Sequence, residues 1–426
     1  MGNRISKIIV LLRIVAYSFG HLGSHIRRQF WPVKLAPSSE SPRNIVIIGA
    51  SFAGYHAARL LASSLPADGS WKLVIIEPNT HYQFTWTLPR FCVVSDHEDK
   101  AFIPYGGYLP VAARDHVRWL RGRATGISRT AVSVSEEGRS TITHVPYEYL
   151  VIATGAGVGL QLPSRVGATD KETGCELLRQ MQRHIRDANR LVVIGGGAAG
   201  VELATDAKSM YPHKTVTLVH SRQAVMHRFG PELQAAAFKG LEGLGVDVVL
   251  NQRAAGHDGS AGPGCLTLTD GRKIEYDFCV NCGGQKPASQ LLSDIAPNVI
   301  SESGHIRIKP TLQVDDESLP KVYACGDVAE TSVRNPNSRS AMRQAEYAAD
   351  NIVLAALGRP QTNIYKIKWA DGLTKLTLGL SKSVIHLSDD KAELLIGSDD
   401  KDETLMSAQM WKHMGAKPFI DDNCTR

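Results

Sequence analysis

The sequence predicts an α/β fold: two β-α-β units, the first interrupted by the second, followed by a small α+β region. Three observations carry this reading. The run Ile45-Val46-Ile47-Ile48 and the run 191–194 are short and wholly apolar, as in parallel strands buried on both faces. Each is followed at once by a glycine-rich turn and a stretch of helical character, 55–64 in the first unit and 201–209 in the second. A further strand then closes each unit, at 72–76 and 215–219.

The first turn reads Gly49-Ala50-Ser51-Phe52-Ala53-Gly54. In the Rossmann fingerprint the first glycine makes the tight turn and the middle one lets backbone approach a pyrophosphate. The last permits close packing of helix on strand. Ser51 stands at the middle position and is small enough to serve there. Glu77 ends the next strand, where an acid can hydrogen-bond ribose hydroxyls. A packing turn in an unrelated α/β protein is the competing reading.

The second turn, Gly195-Gly196-Gly197-Ala198-Ala199-Gly200, satisfies the fingerprint in full. The helix that follows offers free N–H groups and the positive end of its dipole to phosphates. Its next strand ends Val219-His220-Ser221-Arg222, without the acid. A missing carboxylate with Arg222 nearby suits a ribose 2′-phosphate, so acceptance of NADPH is expected beside NADH. A simply solvated Arg222 is the alternative. Two fingerprints in one chain describe a flavoprotein with two Rossmann-like dinucleotide-binding domains, FAD at the first and NAD(P)H at the second. The expected division is a basic arm at 1–43, the FAD domain at 44–160 and again at 288–358, an NAD(P) domain at 161–287, and a C-terminal region at 359–426.

On these motifs the chain resembles the pyridine-nucleotide-disulfide oxidoreductase superfamily, and within it the apoptosis-inducing-factor-like, ferroptosis-suppressor branch. The likeness covers about 44–426. It is most specific from Gly195 to Arg222, where Tyr211-Pro212-x-Lys214-x-Val216-Thr217-Leu218-Val219-His220-Ser221 follows the glycine turn. Arg359-Pro360, Tyr365-Lys366 and Trp411-Lys412-x-Met414 also look like that branch. The resemblance implies that Thr154 and Gly155 lie where the chain leaves the FAD domain, and that Cys282-Gly283-Gly284 is the exit from the NAD(P) domain. It makes Tyr323-Ala324-Cys325-Gly326-Asp327 the late FAD motif, with Asp327 on the ribityl chain. A helix from Ser340 would aim its N-terminus at the flavin and stabilise negative charge on the reduced ring. Glu202 and Lys366 would lie near the nicotinamide and flavin rings. Two departures stand out. The arm before the first strand is longer than usual, and Ile367-Lys368-Trp369 follows Lys366 where the branch commonly has Pro-Gly.

The branch implies an NAD(P)H:quinone reductase. The residues fit an acceptor smaller than a protein disulfide, because Cys92 is the sole cysteine between residues 44 and 160. The run His81-Tyr82-Gln83-Phe84-Thr85-Trp86 is either part of an acceptor pocket or ordinary core. His81, Lys366 or water would donate the protons a quinone needs. Cys279 and Cys282 match C-x-x-C, but they fall on a predicted strand rather than at a helix start and read as structural. No spacing of metal ligands is present. Delivery of electrons to a protein carrier, and a redox or death-signalling role with slow turnover, are the alternatives.

The formal charge is +6, and all of the excess lies before Glu40, the first acidic residue. The remaining basic residues balance the 42 acidic ones, which argues against a broad nucleic-acid face. The opening Met1-Gly2-Asn3-Arg4-Ile5-Ser6 fits N-myristoylation at Gly2. One acyl chain binds membranes only marginally, and the apolar stretch 8–15 with basic flanks would supply a second signal. The arm therefore predicts attachment to the cytosolic side of a membrane: lipid droplet, plasma membrane or outer mitochondrial membrane. A mitochondrial presequence is the competing reading. The seven cysteines are odd in number and irregularly spaced, which points to a reducing compartment.

Overall fold

The computed structural model describes residues 10, 12–20, 23, 27–28, 32–37, 42–157, 162–254, 259–389, 392–399 and 402–421. Gly2 and residues 8, 9 and 11 of the apolar stretch lie outside them.

The first unit builds a seven-stranded sheet. Its parallel part runs, in spatial order, Val322–Ala324, Tyr149–Ile152, Arg43–Ile48, Trp71–Glu77 and Val117–Ile127. Ala131–Glu136 and Ile142–Pro146 continue it antiparallel. The apolar run of the first strand divides between two cores. Ile45 and Ile47 pack with Leu61, Tyr323 and Ile352 under the helices Phe52–Ser64 and Ser338–Ala356. Val46 and Ile48 face the other way, onto Val132, Val134 and Val145. A strand covered on both sides has no polar side to show, which is why alternation is missing from its sequence.

The second unit is a five-stranded sheet in the order Asp247–Val249, Thr215–Val219, Arg190–Ile194, Lys273–Asn281, Ser260–Thr267. All are parallel except the last. Its fingerprint helix spans Ala198–Met210. Two more helices, Lys171–Asp187 and Pro231–Leu244, cover it, and the sequence reading did not anticipate either. Both carry local signals: Asp170 caps the first by accepting from Thr173 N–H at 2.8 Å, and Gly245 ends the second at φ +81°.

The chain enters and leaves this second sheet side by side. Ala156–Gly157 pairs antiparallel with Lys286–Pro287. Next to that ladder, Ala288 N–H donates to Gly155 O at 2.9 Å and Thr154 Oγ1 donates to Ala288 O at 2.8 Å. The C-terminal region forms a three-stranded antiparallel sheet, Thr374–Thr377, Lys382–Ser388 and Glu393–Asp399, then the helix Ser407–His413. Trp411, fully buried, fastens that helix to the first unit by donating to Lys100 O at 2.9 Å.

Candidate functional site

Both glycine turns lie at the carboxyl ends of parallel strands, where open α/β sheets bind ligands. The turns superpose in logic, residue by residue. Gly49 N–H donates to Ile76 O at 2.9 Å, and Gly195 N–H donates to Val219 O at 2.8 Å. Gly49 (φ +93°) and Gly195 (φ +110°) take a backbone conformation that side chains avoid. A Cβ on Gly54 would stand 1.8 Å from Gly49 O, and one on Gly200 would stand 1.9 Å from Gly195 O. The last glycine of each fingerprint is therefore fixed by helix–turn contact. At Gly197 and Gly155 a Cβ would meet nothing within 4 Å, so both leave open space of the kind a ligand's phosphates or ribose need. Ser51 is the N-cap residue of Phe52–Ser64, and its side chain makes no capping bond.

The residue after the last position paired with the first strand braces each turn. In the first unit it is Glu77, whose carboxylate accepts Ala50 N–H at 2.6 Å and Asn79 N–H at 2.9 Å. Burial pushes this carboxyl up, against the pull of those two N–H groups. The strand register makes His220 its counterpart, since Ile48 pairs Ile76 and Ile194 pairs Val219. His220 Nδ1 accepts Gly196 N–H at 3.1 Å. Burial, then the neighbouring His227 and Arg222, hold His220 down at about 4, so the ring is neutral at physiological pH. The sequence reading passed over His220. Its signal was register: it stands one residue past the last paired position, Val219, as Glu77 stands one past Ile76. Arg222 is exposed two residues farther on.

The third strand end brings Gly326 (φ +79°) against Ala53 and Ala341, with a would-be Cβ 3.2 Å from Ala53 Cβ. Gly326 N–H donates to Gln344 Oε1 at 2.7 Å, tying this turn to Ser338–Ala356. That helix starts at an Asn337 cap, which accepts Ser340 N–H at 3.1 Å. The expected helix start at Ser340 moves two residues earlier, because Asn337 and Ser340 form a reciprocal capping box. Asp327 is half-buried beside Arg165, 3.6 Å from its guanidinium. Tyr105, also unanticipated, donates to Ala50 O at 3.1 Å on the first turn.

Of the three residues expected to act chemically, Glu202 lies on Ala198–Met210 and accepts Thr377 N–H at 3.0 Å. Burial, aided by Asp206 one helical turn away, pushes its carboxyl up to about 8. Asp206 in turn holds Arg90 at 2.7 Å in a fully buried ion pair, and Arg90 also donates to Gly379 O at 3.1 Å. Lys366 is exposed. The third, His81, is engaged at both ring nitrogens. Its Nδ1 meets the adjacent Thr80 Oγ1 at 2.7 Å and its Nε2 meets Asp421 at 2.8 Å, and Asp421 also holds Lys171 at 2.7 Å. Through Nε2 it fastens the C-terminal segment. Its neighbours divide: Tyr82 and Phe84 are core, whereas Trp86 is 50% exposed and stacks on Phe52 at 6.0 Å. Cys279 is pushed up to about 12 and Cys282 higher still by burial, as suits structural thiols. Cys92 is buried and likewise raised.

Comparison with known proteins agrees with this geometry. Residues 43–360 match the family model described as pyridine nucleotide-disulphide oxidoreductase. Fe-regulated protein 8 of Mycosarcoma maydis is 30% identical over 403 residues, covering 90% of this chain and 98% of that protein. Human ferroptosis suppressor protein 1 is 28% identical over 385 residues, covering 88% and 96% respectively. The sulfide:quinone oxidoreductase of Aquifex aeolicus shares the fold with a TM-score of 0.68 at 14% identity, covering 88% of this chain and 92% of that one.

Proposed function

Because the chain belongs to the pyridine nucleotide-disulphide oxidoreductase family, in its ferroptosis-suppressor-like branch, and uses FAD and NAD(P)H, we propose that this NAD(P)H-dependent flavoprotein oxidoreductase reduces a quinone-like acceptor at a membrane. The observation that carries the reading is the pair of register-matched glycine turns, one on each sheet, on a chain whose sole cysteine between residues 44 and 160 is the buried Cys92. A disulfide relay beside the flavin needs two thiols there, so a small acceptor is the simpler partner. The quinone in the name of the Aquifex aeolicus protein and the likeness to ferroptosis suppressor protein 1 point the same way.

When bound, FAD supplies the two-electron chemistry, taking hydride from the nicotinamide and passing electrons onward. The chain's own residues bind and align. Gly49, Ser51 and Gly54 would carry the FAD pyrophosphate, braced by Glu77, while Thr154, Gly155, Gly326 and Asp327 line the rest of that site. Gly195, Gly197 and Gly200 would carry the NAD(P)H pyrophosphate, with Arg222 toward a 2′-phosphate. Glu202, largely neutral near pH 7, fixes the C-terminal sheet through Thr377 and stands ready to donate a hydrogen bond. His81, Lys366 or water would supply protons to the acceptor.

Anaerobic stopped-flow on FAD-loaded protein tests the reading. Flavin bleaching by NADPH or NADH, followed by fast reoxidation with a short-chain ubiquinone, is the expected result. Fast bleaching with slow reoxidation by quinones would overturn the acceptor and direct the search to a protein carrier or a signalling role.

A further inference from the structure

The N-terminal arm is seated on the body, and it is seated by its polar side. Residues 12–20 are helical, and positions three and four apart on a helix share a face. One face holds Val10, Arg13 and Tyr17. Val10 is buried, Arg13 pairs with Asp389, and Tyr17 donates to Asp371 at 2.9 Å. Arg343, from Ser338–Ala356, completes that contact with its own bond to Asp371 at 2.8 Å. Farther along the arm, Arg28 pairs with Glu346 and Asp350 of the same helix, both at 2.7 Å. Arg343, Glu346 and Asp350 follow one another at helical spacing, so the arm tracks one face of that helix.

The opposite face of the arm holds Leu12, Val15 and Phe19, again at helical spacing, exposed by 65%, 51% and 70%. A surface helix ordinarily buries its apolar stripe and turns its charges outward. Here the ion pairs face in and the apolar stripe faces out. The usual reason for such a stripe, packing on its own body, is therefore absent.

We propose that the docked helix presents Leu12, Val15 and Phe19 to an anionic lipid bilayer as an interfacial helix, while Arg13, Tyr17 and Arg28 keep its inner face fixed to the body. The proposal rests on the membrane reading above and names the surface that makes it. Charge selects the occupant: no acidic residue precedes Glu40, and Arg4, Lys7 and Arg27 add positive charge to the same arm. Length agrees, because among the described residues no helix is long and apolar enough to cross a membrane, whereas a short stripe suffices to lie in the interface. The orientation has a consequence for turnover. The arm rests on Trp369 and Asp371, just after Lys366 in the chain, so the bilayer would lie against this edge of the body, where a lipophilic acceptor dissolves.

The test uses full-length, FAD-loaded protein made in bacteria, where no acyl chain is added. Flotation with vesicles of phosphatidylcholine and phosphatidylserine is compared for the wild type and the triple variant Leu12→Gln, Val15→Gln, Phe19→Gln. The wild type is expected to float and the variant to partition at least tenfold more weakly, with unchanged flavin reduction by NAD(P)H in solution. A second variant, Arg28→Cys with Glu346→Cys in a background lacking Cys265 and Cys424, is joined by a short bis-maleimide; it is expected to float as well as the wild type. If the triple variant floats like the wild type, this surface is wrong although a membrane role stands. If the wild type itself does not float, the stripe has no membrane affinity of its own and the proposal fails. If the joined protein loses flotation, the helix must leave the body to bind, and the proposal is overturned. If the wild type sediments as a dimer and the triple variant as a monomer, the stripe serves a second copy instead.

Discussion

Replacing His220 by glutamate should convert the nucleotide preference of the second site. In the first unit the equivalent residue is a carboxylate that accepts a turn N–H at 2.6 Å; in the second it is a neutral ring that accepts one at 3.1 Å. Both brace the turn, but only the carboxylate has further lone pairs for ribose hydroxyls. The ring's second nitrogen is turned toward His227, 3.3 Å away. His220→Glu keeps the brace and adds an acceptor for a 2′-hydroxyl. A hydrogen bond to a charged group contributes about 1.5–3 kcal/mol, which favours NADH by roughly 10- to 100-fold. The same carboxylate opposes a 2′-phosphate. Even a few ångströms away, at the effective dielectric of a protein surface, that repulsion is on the order of 2–4 kcal/mol before screening. The ratio of the flavin-bleaching efficiency with NADPH to that with NADH should therefore fall by at least 100-fold. The assay is anaerobic stopped-flow with each nucleotide on His220→Glu and wild type, with thermal unfolding as a check on folding. A folded variant whose ratio moves by less than threefold would refute the equivalence of His220 and Glu77.

Three further outcomes follow from the same geometry. Gly54→Ala pushes a Cβ to within 1.8 Å of Gly49 O, so the turn must open; flavin retention on gel filtration should be lost, with destabilisation of about 1–3 kcal/mol in urea. Arg90→Met leaves Asp206 charged and buried without its partner, and chemical denaturation should report a loss of about 3–5 kcal/mol; a double variant Arg90→Met with Asp206→Leu should recover most of it. Glu202, raised in the folded protein from an ordinary 4.5 to about 8, binds a proton there that the unfolded chain has released, so its contribution is full below about 4.5 and is lost as pH rises toward 8. Unfolding midpoints across that window should decline more steeply for the wild type than for Glu202→Gln, and parallel profiles would show that the carboxyl is not raised.

The parts of the molecule that were legible in the sequence are those where one local rule acts alone. Strands 45–48 and 191–194 had to be apolar throughout because Ile45 and Val46 bury on opposite sides, and the glycine turns had to be glycine because of clashes a Cβ would make with Gly49 O or Gly195 O. Helix Lys171–Asp187 is mostly polar, which hides its two signals: the Asp170 cap, and the apolar Cys175, Leu178, Met181 and Ile185 at helical spacing. The setting of His81 was illegible for a different reason. Its partner Asp421, which also holds Lys171, is far along the chain. No local pattern encodes a contact that the tertiary fold alone creates. His220 was hidden by expectation, since the reading looked for an acid and stopped when it found none.

The buried charges then explain how the two sheets and the C-terminal region act as one device. Glu202 and Asp206 sit one turn apart on the fingerprint helix of the second unit. Glu202 reaches Thr377, and Asp206 reaches Arg90 from the segment after the first unit, which itself reaches Gly379. Each contact joins elements that share no covalent neighbour. Replaced by well-packed apolar groups, such a network would cost the fold little, because a buried ion pair gains little over packing. Its distinctive property is direction: hydrogen bonds fix angle and register, whereas apolar contacts allow sliding. Hydride transfer demands that the reacting atoms be held about 3–3.5 Å apart, and a misplacement of about 1 Å is costly. A network spanning this helix, the segment after the first unit and the C-terminal strands is placed to hold that alignment, and its position on the helix whose first turn would hold the pyrophosphate would couple the grip on the nucleotide to the grip on the rest of the molecule.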